Sequence, residues 1–123
     1  MIIPENLLYT KDHEWVSIDN DIATIGITDY AQSELGDIIF IEFPNVDDIF
    51  NNEDVFGTIE AVKTVADLFS PIKGSILEIN NKLENNPELA NNDPYGEGWI
   101  VKMKIHDNNE KNLLNHKNYA KII

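Results

Sequence analysis

The chain contains no cysteine. Disulfides, thiolate metal sites and thiol nucleophiles are therefore excluded. Arginine is missing too: all nine basic residues are lysine. The guanidinium fork that commonly grips phosphate or guanine is thus absent. No apolar run approaches the roughly 20 residues that a membrane-spanning helix needs. The opening Met1-Ile2-Ile3-Pro4-Glu5-Asn6 is neither basic nor followed by a long apolar stretch, so no signal or transit peptide is expected. A cytoplasmic location in a bacterial cell is the resulting expectation.

What is present is an ordinary apolar content and a large excess of acid. Acidic residues outnumber basic ones 22 to 9 over 123 residues. A chain of this length is expected to form one domain, 1–123, burying roughly two thirds of its unfolded surface. Its negative field would repel nucleic acid and anionic membranes, so neither is expected as a partner. The same field would attract basic docking faces. Solubility alone is an equally open reading of the acidity.

Short strands follow one another at close spacing. Glu14 to Ile18 alternates and reads as a strand, Asp19-Asn20-Asp21 as a turn, and Ile22 to Ile27 as a returning strand. Thr28 suits the N-cap of a short helix over Asp29–Leu35, with Gly36 just past its end. Asp37 to Phe43 is a strand stopped by Pro44. Asn45 to Asp54 reads as a solvated loop, with Ile49 and Phe50 turned inward. Val55–Glu60 and Val65–Phe69 form two strand arms, and Ser75–Ile79 a further strand. Lys82 to Ala90 holds a helical turn or two, Asn91 to Gly98 is a turn cluster, and Trp99 to Ile105 is a strand. Asp107 with Glu110 resembles a capping box opening a helix through Leu113 and Leu114. This pattern indicates a mostly β fold, either barrel or sandwich. The segments Gly36–Glu42 and Gly74–Asn80 look alike, a weak sign of internal duplication.

Lys63 stands between the two arms and is the only basic residue from Asn45 to Ile72. A charge between apolar, β-prone runs belongs at the exposed tip of a hairpin. An ordinary lysine amine has a pKa of about 10.4 and is almost wholly protonated at neutral pH. Glu60 nearby is no activator, since an acid favours the charged amine. Schiff-base lysines need desolvation or a cationic neighbour. Any modification here therefore needs an enzyme that recognises the presented loop.

The run Glu60-Ala61-Val62-Lys63-Thr64-Val65-Ala66-Asp67-Leu68-Phe69-Ser70-Pro71 resembles the lipoylation motif of the glycine cleavage system H protein family. Further blocks similar to that family occur in order. They are Tyr9 to Trp15, Gly26 to Gln32, Leu35 to Ile38, Pro87-Glu88-Leu89 with Asn91, and Asp93 to Trp99. The resemblance covers about Leu7 to Tyr119. Two departures stand out: Ala61 replaces a usual serine, and Asp47-Asp48 replaces a usual glycine turn. Biotin carriers commonly place methionine beside the lysine, and lipoyl domains of 2-oxo-acid dehydrogenases read Asp-Lys-Ala. Val62-Lys63-Thr64 fits neither.

The resemblance implies a mostly β, lipoyl-domain-like fold of the barrel-sandwich hybrid type, with a few short flanking helices. It implies a carrier without catalytic residues, bearing lipoate in amide linkage on Lys63. Glycine decarboxylase, which uses PLP, would load the arm with an aminomethyl group. An aminomethyltransferase using tetrahydrofolate would unload it, and the FAD-dependent dihydrolipoyl dehydrogenase would reoxidise it. A lipoate ligase or lipoyl transferase would attach the group, with Glu60 as part of its recognition signal. Glu14 and Asp67 are candidates for a groove that parks the loaded arm's ammonium. For Glu14 the other reading is an exposed strand carboxylate, and for Asp67 a hairpin charge that sets register. The alternative to glycine cleavage is a relay that donates lipoyl groups to other enzymes.

Other constellations point to no chemistry. His13, His106 and His116 are too scattered for a recognisable metal site. Asp47, Asp48, Glu53 and Asp54 lack calcium-loop spacing. Gly96 and Gly98 suit a tight turn rather than a phosphate cradle. Trp15 and Trp99 read as packing residues, and no Ser, His and Asp are placed as a triad.

Overall fold

In this computed structural model the described residues are 1–107 and 112–123. The chain runs β1 (Leu8–Tyr9), β2 (Glu14–Asp19), β3 (Ile22–Ile27), α1 (Asp29–Leu35), β4 (Ile38–Glu42), β5 (Ile49–Phe50) and β6 (Val55–Ala61). It continues through β7 (Val65–Phe69), β8 (Lys73–Ile79), α2 (Lys82–Asn85), α3 (Leu89–Asn92), β9 (Val101–Asp107) and α4 (His116–Ala120). The strands make two antiparallel sheets, ordered β1-β2-β3-β9-β8-β5 and β4-β6-β7.

Local chemistry explains the elements that frame the site. Asp19 pairs with Ile22, leaving Asn20-Asp21 as a two-residue tip. Asn20 takes φ +56°, a left-handed conformation that asparagine tolerates well. The Thr28 hydroxyl accepts the Ala31 N–H at 3.1 Å and so caps α1. Gly36 ends α1 at φ +76°, ψ −155°, a region practically reserved for glycine. Its N–H closes the last turn on the Gln32 carbonyl at 2.9 Å.

Alternation then builds the core. Ile25 of β3, Ile59 of β6, Ile76 of β8 and Met103 of β9 are all completely buried. They come from both sheets and meet in one cluster, each contributing about 1.5–3 kcal/mol of transfer free energy. A smaller cluster gathers Tyr9, Trp15 and Tyr119, with the two tyrosine rings stacked 4.6 Å apart. Trp15 lies across Gly26, its partner on β3, and its indole N–H donates to the Pro94 carbonyl at 2.9 Å. A Cβ on Gly26 would fall 2.6 Å from that indole nitrogen, so the ring occupies space only a glycine leaves.

Several expectations need correction. The loop from Asn45 to Asp54 contains β5, which pairs with β8 because Ile49 and Phe50 lie opposite Ser75 and Gly74. Phe50 packs against the core, but Ile49 is exposed. The Lys82–Ala90 segment is two single turns, broken at Asn86-Pro87, and the second runs on to Asn92. Trp99 and Ile100 precede β9, whose far end reaches Asp107. Asp107 therefore ends a strand, and Glu110, the other half of the proposed capping box, lies outside the described residues. Leu114 bridges Tyr9 in extended form, so the terminal helix starts only at His116, capped by the Asn115 side chain. The look-alike segments are both strands, one in each sheet.

Both departures from the family pattern are absorbed. Asp47 takes φ +75°, the conformation a glycine would supply, and the Asp48 carboxylate accepts the Asn45 N–H at 2.9 Å. Ala61 is buried, and its N–H bonds the Thr64 carbonyl at 2.8 Å.

Candidate functional site

The β6–β7 hairpin places Lys63. Register runs Thr58 with Asp67, Ile59 with Ala66 and Glu60 with Val65. The Ala61–Thr64 bond closes the ladder and leaves Val62-Lys63 as the tip. Both tip residues are exposed, and Val62 retains 72% of its accessible surface. The tip also leans on the entry to β4, where the Val62 N–H donates to the Asp37 carbonyl at 3.0 Å. Lys63 folds its stem over Gly36: a Cβ there would lie 3.2 Å from Lys63 Cε and 3.6 Å from Nζ.

Beside the tip runs a groove of about 300 Å3. Tyr30, Ala31, Glu34 and Leu35 of α1 form one wall. Ile59 of β6 and Ala66, Asp67 and Leu68 of β7 form the other. Asp12, His13 and Glu14 close one end. Among the described residues the lining carries four carboxylates and neither lysine nor arginine. An apolar floor with an acidic margin suits an elongated, mostly apolar arm ending in a cation.

Glu14 is not the exposed strand carboxylate that one reading allowed; it is only 2% exposed. Its Oε1 accepts the Thr10 hydroxyl at 2.6 Å and its Oε2 the Phe69 N–H at 3.2 Å. Thr10 Oγ1 in turn accepts the N–H groups of Asp12 and Glu14. Burial pushes the Glu14 carboxyl up to about 7, against the opposing pull of the Thr10 and Phe69 hydrogen bonds. The charge on Asp12 adds a smaller upward push. Glu14 also lines a second hollow of about 380 Å3, shared with Thr10, Lys11 and Ser70, so it borders both hollows. Asp67 is exposed on β7, in register with Thr58. Both sequence-selected carboxylates thus belong to the one groove.

Glu60 is exposed on the sheet, registered between Phe40 of β4 and Val65 of β7. Phe40 is 54% and Val65 64% exposed, so the acid sits in an apolar surround one residue pair from the tip.

A family model for the glycine cleavage H-protein matches residues 7–123. The chain belongs to the glycine cleavage H-protein family. Glycine cleavage system H proteins from Bacteroides thetaiotaomicron and Staphylococcus epidermidis are 52% and 49% identical to it, over 100% of this chain and 98% of each relative. The crystal structure of an H protein from Mycobacterium marinum superposes with a TM-score of 0.91 at 34% identity, covering 97% of both chains. The chain has the mostly β, lipoyl-domain-like architecture that the family resemblance implied.

Residues that sequence reasoning passed over complete the site. Thr10 braces Glu14. His13, at φ +69°, turns its ring to the Tyr119 hydroxyl, with Nδ1 and Oη 2.9 Å apart. Burial lowers its pKa, more strongly than Asp12 and Glu34 raise it, which favours the neutral ring. Gly36 was legible as a helix stop but not as the seat of the lysine. No helix among the described residues is long and apolar enough to cross a membrane.

Proposed function

We propose that Lys63 carries a lipoyl group in amide linkage and that the chain shuttles it among the enzymes of glycine cleavage. The observation that carries this reading is the position of Lys63: at an exposed two-residue tip, with its stem directed over Gly36, next to Leu35 of the groove wall. The groove's apolar floor and acidic margin fit such an arm. When bound, the group supplies a dithiolane that takes up a one-carbon amine and is closed again by oxidation.

The chain's own contribution is positional. The tip offers the ε-amine to a modifying enzyme, and exposed Glu60 between Phe40 and Val65 gives that enzyme a charged mark on an apolar patch. Glu14 and Asp67 attract a terminal ammonium and park it at the groove. The hard chemistry belongs to the partners: the PLP-dependent glycine decarboxylase, the tetrahydrofolate-dependent aminomethyltransferase and the FAD-dependent dihydrolipoyl dehydrogenase. Tethering keeps the reactive end at high local concentration once a partner docks. The chain is itself no catalyst in this reading. It works as a single domain in the cytoplasm.

The test is to lipoylate the purified chain with a lipoate ligase and supply it to purified glycine decarboxylase with glycine. Release of carbon dioxide that depends on the lipoylated chain is expected. A lipoylated chain that glycine decarboxylase ignores, but that donates its lipoyl group to other acceptors, would establish the relay function instead.

A net charge of −13 also implies steered docking. On-rates with the partner enzymes are expected to fall on the order of tenfold as salt rises from low to physiological strength, where the screening length shrinks to about 8 Å. Stopped-flow association at several salt concentrations measures this, and a flat profile would reject steering.

A further inference from the structure

We propose that Asn91 is a positioning residue for the modification of Lys63, acting through the Gly36–Ile38 segment on which the lysine's tip and stem both rest. The inference rests on the reading of Lys63 as the modified lysine. Asn91 sits on α3, on the far side of that segment from the hairpin, and bonds it through both its amide oxygen and its amide nitrogen. Its Oδ1 accepts the Ile38 N–H at 3.0 Å. Its Nδ2 donates to the Gly36 carbonyl at 2.8 Å and to Gln32 Oε1 at 3.2 Å. One planar amide therefore holds the last turn of α1 and the first residue of β4 together.

The same short segment holds the hairpin. The Asp37 carbonyl accepts the Val62 N–H at 3.0 Å, and Ile38 pairs with Ala61. Gly36 offers the bare surface that Lys63 Cε and Nζ lie against. Peptide groups on either side of Asp37 thus face Asn91, while the Asp37 carbonyl faces the tip. As a glycine, Gly36 can adopt several φ/ψ combinations at little cost, so contacts from outside select the one observed. Asn91 is the side chain that supplies both the donor and the acceptor for this. Alanine supplies neither, and aspartate supplies only the acceptor.

Without the clamp the tip would sample several arrangements, and only a fraction would present Lys63 as a modifying enzyme needs it. Apparent affinity falls by that fraction, while the step after docking is unchanged. The experiment measures initial rates of mass gain at Lys63 with lipoate ligase, ATP and lipoate. It uses the intact chain, Asn91→Ala and Asn91→Asp over a range of carrier concentrations. Expected is a KM raised about tenfold in Asn91→Ala with kcat nearly unchanged, and a smaller rise in Asn91→Asp. Hydrogen exchange supplies the structural control. The Val62 amide should exchange faster in Asn91→Ala, while the Ile25 and Met103 amides stay as protected as in the wild type.

An unchanged KM in Asn91→Ala overturns the proposal. So does a rise in KM accompanied by lost protection throughout the core, because the effect is then global unfolding. If the wild-type chain takes no lipoyl group on Lys63, the reading of the lysine fails and carries this inference with it. If the wild type is modified and Asn91→Ala behaves alike, only this inference fails.

Discussion

Lys63→Arg is expected to gain no mass with lipoate ligase and to support no glycine-dependent carbon dioxide release above background. Arginine keeps the charge and most of the length of lysine, but its guanidinium has no free amine to acylate. The side chain it replaces is exposed at a tip closed by backbone bonds of Ala61, Thr64 and Val62. Folding should therefore be nearly untouched, within about 0.5 kcal/mol, as for other surface substitutions. Intact mass, peptide mapping around Lys63 and a thermal melt suffice. Mass gain in Lys63→Arg at any of the other eight lysines would show that the carrier amine had been misplaced.

Glu14→Ala is expected to shorten the lifetime of the loaded arm against hydrolysis by about ten- to hundredfold, the range for losing a charged hydrogen bond of about 1.5–3 kcal/mol. Asp67→Ala should have the smaller effect, because Asp67 is exposed where Glu14 is buried. Unchanged lifetimes in both variants would remove the parking groove. The Glu14 effect should also depend on pH. Its carboxyl, raised from an ordinary 4.5 to about 7 by burial, is mostly neutral in the empty groove below that value and holds a cation best above it. The ratio of wild-type to Glu14→Ala lifetimes should accordingly grow as pH rises through about 7.

Stability should move in the opposite sense. Between 4.5 and about 7 the folded state keeps a proton on Glu14 that the unfolded chain has released. Rising pH therefore costs stability in that window. Relative to Glu14→Gln, which does not titrate, the wild type should lose roughly 3 kcal/mol across it. Denaturant midpoints at several pH values give the difference, and a flat difference would mean that Glu14 is already ionised in the folded protein.

How much of this was legible depended on whether the signal was local. The hairpin was, because two apolar, β-prone arms around a single lysine leave that lysine only the tip. The cap on α1 was, because Thr28 bonds a backbone group three residues away. The single turns near Lys82 and Leu89 were poorly resolved, since four residues carry too little periodicity to separate helix from turn. β5 was hidden because a two-residue strand exists only through its partner on β8.

By itself the sequence determined a mostly β chain of the glycine cleavage H-protein family, the lysine at its hairpin tip and the sign of its field. The family follows from the resemblance of its ordered motifs, and the rest from residue type, order and net charge. Only the tertiary structure decided that Glu14 is buried and shifted, that it shares a groove with Asp67, that Lys63 lies against Gly36, and that Asn91 bonds Gly36 and Ile38. Those facts depend on desolvation and on hydrogen bonds between residues more than fifty positions apart, such as Phe69 to Glu14 and Asn91 to Gly36. No local pattern encodes such pairs, because burial and partnership are properties of the packed sheets.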